Sequence, residues 1–290
     1  QIASFEPKLI IIVDIYENGA YSVKCEVGDK VTVEIASVRD YEKMDCIMNK
    51  YRPDIVFHAA AHKHVPFMEL SPEEAVKNNV KGTETVADLA EKYDTFVITD
   101  EVYEHIVYAP NRHVYFATLP GMWERTISCS SLSKTYSITG WRLGYIIAPS
   151  NIIEVAKKVH DFLTVGAAAP LQEAAVTGLR FGDEYYDDLR EKYTAKRDLF
   201  IKGLNDIGIK HTVPQGAYYV MLDISEFGFE SDLEFCDVLA RDVGVGAVPG
   251  SSFFREPVNS LIRLHFAKKD ETLYEALNRL SDIRKKIAKR

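Results

Sequence analysis

Ser131-Leu132-Ser133-Lys134-Thr135-Tyr136-Ser137-Ile138-Thr139-Gly140-Trp141-Arg142-Leu143-Gly144-Tyr145 leads from the β-rich run Thr126 to Ser130 into the run Arg142 to Ala148. A lysine amine attacks aldehydes and acts as a general base once its surroundings free it of its proton. The hydroxyls of Ser131 and Ser133 and the planar guanidinium of Arg142 match phosphate oxygens.

Working outward, short β-branched runs alternate with longer amphipathic stretches, the pattern of βαβ units and a mostly parallel sheet. Six runs read as strands: Leu9 to Ile15, Lys30 to Ile35, Asp54 to Ala59, Thr95 to Thr99, Thr126 to Ser130 and Arg142 to Ala148. Ser71 to Tyr93 reads as a helix, with Ser71 as N-cap, Pro72 at the first helical position and Glu74 three residues after the cap. Beyond Pro149, apolar residues at helical spacing predict helices over Asn151 to Thr164, Pro170 to Arg180 and Glu184 to Asp206, expected to cover the sheet. The remainder reads as a smaller α/β domain. It comprises strands at Ala217 to Ile224, Val243 to Val248 and Leu261 to Phe266, and helices at Ser231 to Asp242 and Glu271 to Ala288. The fold class is therefore α/β, a three-layer α/β/α arrangement with a smaller C-terminal α/β domain.

The chain has 290 residues, 47% of them hydrophobic, enough for one large or two medium cores. A net charge of −8 offers no electrostatic footprint for nucleic acid or anionic lipid, so small molecules are the expected partners. The longest early apolar run, Leu9 to Val13, is far short of a membrane span. Cys25, Cys46, Cys129 and Cys236 form no C-x-x-C pair, which points away from zinc and disulfides and fits a reducing cytoplasm. No metal is expected, since His62 and His64 have no third ligand nearby. Gln1-Ile2-Ala3-Ser4-Phe5 reads as the interior of a helix, so a segment upstream is expected.

Two further patterns accompany the lysine. Asp100-Glu101-Val102-Tyr103 follows a strand, where a carboxylate can hold a pyridine nitrogen protonated. Arg263 lies in Ile262-Arg263-Leu264-His265-Phe266, after Pro249-Gly250-Ser251-Ser252-Phe253. With Pro214, Gly216, Ala217, Tyr218 and Tyr219, these residues make 94–290 resemble the pyridoxal-phosphate (PLP) aminotransferases of class I and II, of the aspartate-aminotransferase fold type. Phe162 to Gln172, with Gly166-Ala167-Ala168-Ala169-Pro170, resembles the aromatic or kynurenine-type branch. The resemblance implies Lys134 as catalytic lysine, and Asp100, Tyr103, Ser131, Ser133 and Arg142 as cofactor ligands. It also implies Arg263 as the clamp on the substrate's α-carboxylate, an amino acid and a 2-oxo acid as substrates, and a homodimer.

Residues 1–93 resemble a different family, the extended short-chain dehydrogenases of the nucleotide-sugar 4,6-dehydratase and capsular-polysaccharide type. The resemblance rests on Asp14-Ile15-Tyr16-Glu17-Asn18, Ser37-Val38-Arg39-Asp40 and Val56-Phe57-His58-Ala59-Ala60-Ala61-His62-Lys63-His64-Val65-Pro66. It implies vestigial nucleotide contacts at Asp14, Asp40, His58, Ala59 and Ala60. The G-x-G-x-x-G turn and the tyrosine-lysine pair of that family are not in the sequence, so NAD(P) is not expected to bind and a working dehydratase is a minor alternative. The aminotransferase family's N-P-T-G turn and glycine-rich phosphate-binding helix start are likewise missing before Asp100, so PLP is expected to bind weakly. The whole reads as a chimera joined near Ala87 to Tyr93: a half-domain over 1–93, the second half of the large domain over 94–207, and a small domain over 208–290. In the parent families' strand numbering, one joint sheet of order 3-2-4-5-6-7 is expected, with the last strand antiparallel. An engineered or recombined scaffold without activity is the main alternative to a working transaminase.

Overall fold

The computed structural model describes residues 2–15, 17–28, 30–58, 81–253 and 258–287. In chain order, β1 (Ile10–Asp14), α1 (Glu17–Val27), β2 (Val31–Ile35), α2 (Tyr41–Tyr51) and β3 (Ile55–Phe57) make up the first part. They lead to α3 (Gly82–Lys92), β4 (Phe96–Asp100), β5 (Thr126–Ser131), the single-turn α4 (Leu132–Thr135) and β6 (Gly144–Ile147). Three helices follow: α5 (Ser150–Thr164), α6 (Ala169–Leu179) and α7 (Asp183–Ile207). The remainder is β7 (Tyr219–Asp223), α8 (Asp232–Val238), β8 (Val248–Pro249), β9 (Leu261–His265), α9 (Asp270–Ser281) and α10 (Ile283–Ile287).

The protein is α/β with mixed sheets, and each of the six expected strands forms. Their hydrogen bonding differs from the single sheet expected. β1 and β2 pair in parallel as one piece, and β3-β4-β5-β6 form another, with β6 antiparallel to β5 as anticipated. Among the described residues no ladder joins β1 to β3. β3 is only three residues long, and Ile55 and Phe57 face outward while Val56 alone turns toward the core. What links the two pieces is side-chain packing. Met44, Ile47 and Met48 of α2, spaced at helical intervals, meet Leu89 of α3, with Ile11, Val13 and Val56 against them.

Local chemistry sets these elements. Asp40 caps α2 by accepting from the Lys43 amide at 3.0 Å, and Arg52 closes the helix in the left-handed region. The first residue of α3, Gly82, lies so close to the Ser37–Asp40 loop that a Cβ there would stand 2.7 Å from Val38 Cγ2. The expected cap of this helix at Ser71, with Pro72 and Glu74, lies outside the described residues.

The largest core belongs to the C-terminal portion, where β7-β9-β8 pack antiparallel against α7, α8 and α9. Phe200, Phe235 and Phe266 are fully buried there. Burial of each such ring contributes about 1.5–3 kcal/mol. The loop after β4 is bolted to this core by Tyr108, whose hydroxyl donates to Ala217 O at 2.6 Å. Three expectations need correction here. Val243 belongs to a π-helical turn, Leu239–Val243, closed by Gly244 at φ 81°, so the strand is only Val248–Pro249. The terminal helix breaks at Asp282. α5 does not cover the sheet: none of its residues is buried, and Phe162 is 93% exposed.

Candidate active site

β3, β4 and β5 run parallel, Phe57 opposite Ile98 and Asp100 opposite Cys129, so their C-terminal ends form one rim. Open α/β sheets bind ligands at such a rim. Here it borders a cavity of about 600 Å³ lined by His58, Asp100, Ser131, Ser133, Lys134 and Arg142, with Phe57, Cys129, Ser130 and Thr139 among the remaining walls.

Lys134 is placed by the α4 turn. Ser131 caps the turn, accepting from the Ser133 amide at 3.1 Å, and its Oγ also lies 2.6 Å from Ser133 Oγ and 3.0 Å from Leu143 O. Buried Leu132 anchors the turn against Leu143 and Ala175. Ser137 and Arg142 both adopt φ 56°, the left-handed region that non-glycine residues rarely enter, and such conformations concentrate at functional sites. Arg142 donates from Nη1 to Thr139 O at 3.2 Å and is otherwise exposed at the cavity wall. Gly144 is needed where β6 turns in beside β5, because a Cβ would stand 2.9 Å from Ser130 O.

Asp100 ends β4, one oxygen accepting from the Val102 amide at 3.3 Å. Its neighbour Glu101 points the other way and is buried. Burial pushes the Glu101 carboxyl upward, but hydrogen bonds from His113 (2.6 Å), Thr99 (2.7 Å) and Ser128 (3.2 Å) outweigh it and hold it below the usual range. Glu104 accepts from Ser130 Oγ at 2.8 Å and Tyr145 Oη at 2.7 Å, tying the loop after β4 to both β5 and β6. The Cys129 thiol is pushed up by burial and by the carboxylates of Asp100 and Glu101, which keeps it protonated.

Not every expected residue reaches the cavity. Tyr103 is turned into the C-terminal core, its ring edge-on to Tyr218 and Tyr219 and its hydroxyl 3.2 Å from that of Tyr219. Burial, then the bond with Tyr219, raises its pKa. Arg263 stacks between Phe253 (3.8 Å) and Tyr219 (4.1 Å) on β9. Two aromatic rings lie between it and the lysine: Tyr219 packs on Tyr218 at 4.8 Å, and Lys134 Nζ lies 5.9 Å from the Tyr218 centroid. Asp14 ends β1 and Asp40 caps α2, so neither lines the cavity, whereas His58 does. Ala59 and Ala60, with His62 and His64, lie outside the described residues. Reasoning from sequence missed Glu104 and the Glu101–His113 pair. Glu101 and Glu104 flank Tyr103 in the quoted motif, but nothing local marks His113 as a partner.

A carboxylate at one side of the rim and an amine, two hydroxyls and a guanidinium at the other fit a phosphorylated pyridine aldehyde. The volume is within the range of small-molecule sites. Among the described residues no group of three His, Cys, Asp or Glu side chains could hold a metal, and no helix is long and apolar enough to cross a membrane.

Fold and site thus define an α/β protein with a lysine-centred small-molecule cavity. The family model described as aminotransferase class I and II matches residues 75–280, well over half of the chain, and the protein belongs to that PLP-dependent family. Among its relatives are methionine aminotransferase of Escherichia coli, 39% identical over 192 residues (66% of this chain, 50% of the relative), and human kynurenine–oxoglutarate transaminase 3, 36% identical over 215 residues (67% and 47%). The chain spans about half the length of these curated relatives. Among solved structures, the Escherichia coli methionine aminotransferase superposes with a TM-score of 0.73 at 30% identity, covering 95% of this chain and 71% of the other. The Mycobacterium tuberculosis N-succinyldiaminopimelate aminotransferase gives 0.69 at 30% identity with the same coverages. Such coverage takes in most of the N-terminal segment as well. A second model, described as polysaccharide biosynthesis protein, matches residues 1–101. Family membership replaces the dehydratase reading considered from sequence.

Proposed function

We propose that the protein binds PLP and transfers an amino group between an amino acid and a 2-oxo acid. The observation that carries this is the convergence of Asp100, Ser131, Ser133, Lys134 and Arg142 on one cavity. PLP, when bound, supplies an electron sink for charge developing at the substrate's α-carbon. Asp100 would keep the ring nitrogen protonated, while Ser131, Ser133 and Arg142 hold the phosphate. Lys134 supplies the amine that retains the cofactor and moves the proton at the α-carbon. Arg263, whose guanidinium carbon lies over the rings of Phe253 and Tyr219 outside the cavity lining, would orient the substrate carboxylate beside the cofactor. A homodimer is the assembly proposed, as in the sequence-based expectation.

The ancestry is also part of the proposal. Residues 1–93 derive from a dehydrogenase-like half-domain, 94–207 and 208–290 from an aminotransferase, and PLP binds more weakly than in a complete family member. What supports this reading is that one family match runs over residues 1–101 and the other over 75–280, the change falling within 75–101, which contain α3 and β4. A recombined scaffold without activity is the second reading, favoured by the missing N-P-T-G turn and glycine-rich helix start before Asp100. Titration with PLP, followed by absorbance and then by keto-acid production from amino donors, separates the two. Saturable binding lost in Lys134→Ala with product formed supports the transaminase; binding without turnover supports the silent scaffold; no saturable binding refutes the PLP proposal.

A further inference from the structure

We infer that His58 is a ligand-binding residue of this cavity, its imidazole hydrogen-bonding a polar substituent of the pyridine ring proposed to sit there. The inference rests on the proposed PLP site and extends it to the N-terminal segment.

Three observations carry it. His58 lines the cavity together with Asp100, Lys134 and Arg142, although it comes from the part of the chain with the other family match. The preceding residue, Phe57, pairs with Ile98, so His58 leaves β3 level with Thr99, one residue before Asp100 at the same rim. Its ring is also fixed: Nε2 lies 3.0 Å from Thr83 Oγ1 in the first turn of α3, and that turn is wedged by Gly82 against Val38. A side chain already held through one ring nitrogen can engage a ligand through the other at a smaller loss of rotamer freedom. Burial lowers the His58 pKa, so the ring is neutral near pH 7, and Nδ1 can donate or accept according to which way the Thr83 hydroxyl turns. Among the described residues the other ionisable side chains that line the cavity are those of Asp100, Lys134, Arg142 and Cys129, so a neutral imidazole adds directionality without adding charge.

The test compares PLP titrations of the unchanged chain with His58→Ala, His58→Asn and Thr83→Val, read by absorbance and by ¹⁵N shifts of the His58 ring. One net hydrogen bond corresponds to a weakening of about two- to tenfold in His58→Ala. Thr83→Val should weaken binding less, His58→Asn should recover most of the affinity, and the His58 nitrogen signals should move on adding PLP. PLP should still attach to Lys134 in His58→Ala. Equal affinity in His58→Ala, or ring signals that ignore PLP, overturns the assignment alone. Absence of saturable PLP binding in the unchanged chain overturns the proposed function and this assignment together. If His58→Ala fails to fold, His58→Asn, Thr83→Val and the ring signals still decide.

Discussion

Replacing His113 by alanine should destabilise the fold beneath the cavity and shift its acid sensitivity. Glu101 is only 6% exposed at its side chain and faces His113 Nε2 at 2.6 Å, with Thr99 and Ser128 as its other donors. Removing a hydrogen bond to a buried charge costs about 1.5–3 kcal/mol. With a urea slope of about 2 kcal/mol/M, the unfolding midpoint at pH 7 should fall by about 1 M. The pH dependence follows from the direction of the Glu101 shift. Its folded pKa is lowered, so its stabilising contribution is complete above the unfolded carboxylate value of about 4.3 and disappears as pH falls through the lower folded value. Without His113, burial still pushes the carboxyl upward, so the loss should begin at a higher pH. Urea melts at pH 7 and pH 4.5, with Glu101→Gln and the double variant completing a cycle, measure both effects. A midpoint shift below about 0.2 M at pH 7, with additive single changes, would show that the pair is not coupled and refute the reasoning.

Other consequences are as direct. Gly144→Ala places a methyl 2.9 Å from Ser130 O, a backbone atom that cannot swing aside, and should cost about 1–3 kcal/mol in urea melts while weakening PLP binding by moving β6 from β5. Arg142→Ala should weaken PLP by about ten- to a hundredfold and leave the affinity for phosphate-free pyridoxal nearly unchanged, since only the charged oxygen contacts are lost; equal losses for both ligands would place Arg142 elsewhere. Arg263→Lys removes a planar cation from between Tyr219 and Phe253, and should raise KM for the amino acid more than it lowers kcat.

Much of the lysine turn was legible because its determinants are local. Ser131 caps α4, Leu132 anchors it, and Gly144 permits the approach of β6, all within the stretch that contains Lys134. What was not legible depends on distant partners. Tyr103 carries the motif of a ligand-facing tyrosine, yet Tyr218 and Tyr219, more than a hundred residues later, draw its ring into the core. His113 sits in a loop with no periodicity to connect it to Glu101. Among the described residues β3 pairs with β4 and not with β1, and it is three residues long, a length that depends on tertiary context rather than on the β-branched run that announced it. For α5, helical spacing foretold the helix but not its setting, since spacing identifies an apolar face and not what lies against it.

Whether Lys134 is the cofactor lysine decides the proposed function. The most direct measurement is borohydride fixation of PLP onto the protein, followed by peptide mapping of the labelled lysine. Labelling should be stoichiometric and confined to Lys134, and lost in Lys134→Ala. Labelling scattered over exposed lysines, or unchanged in Lys134→Ala, would contradict it.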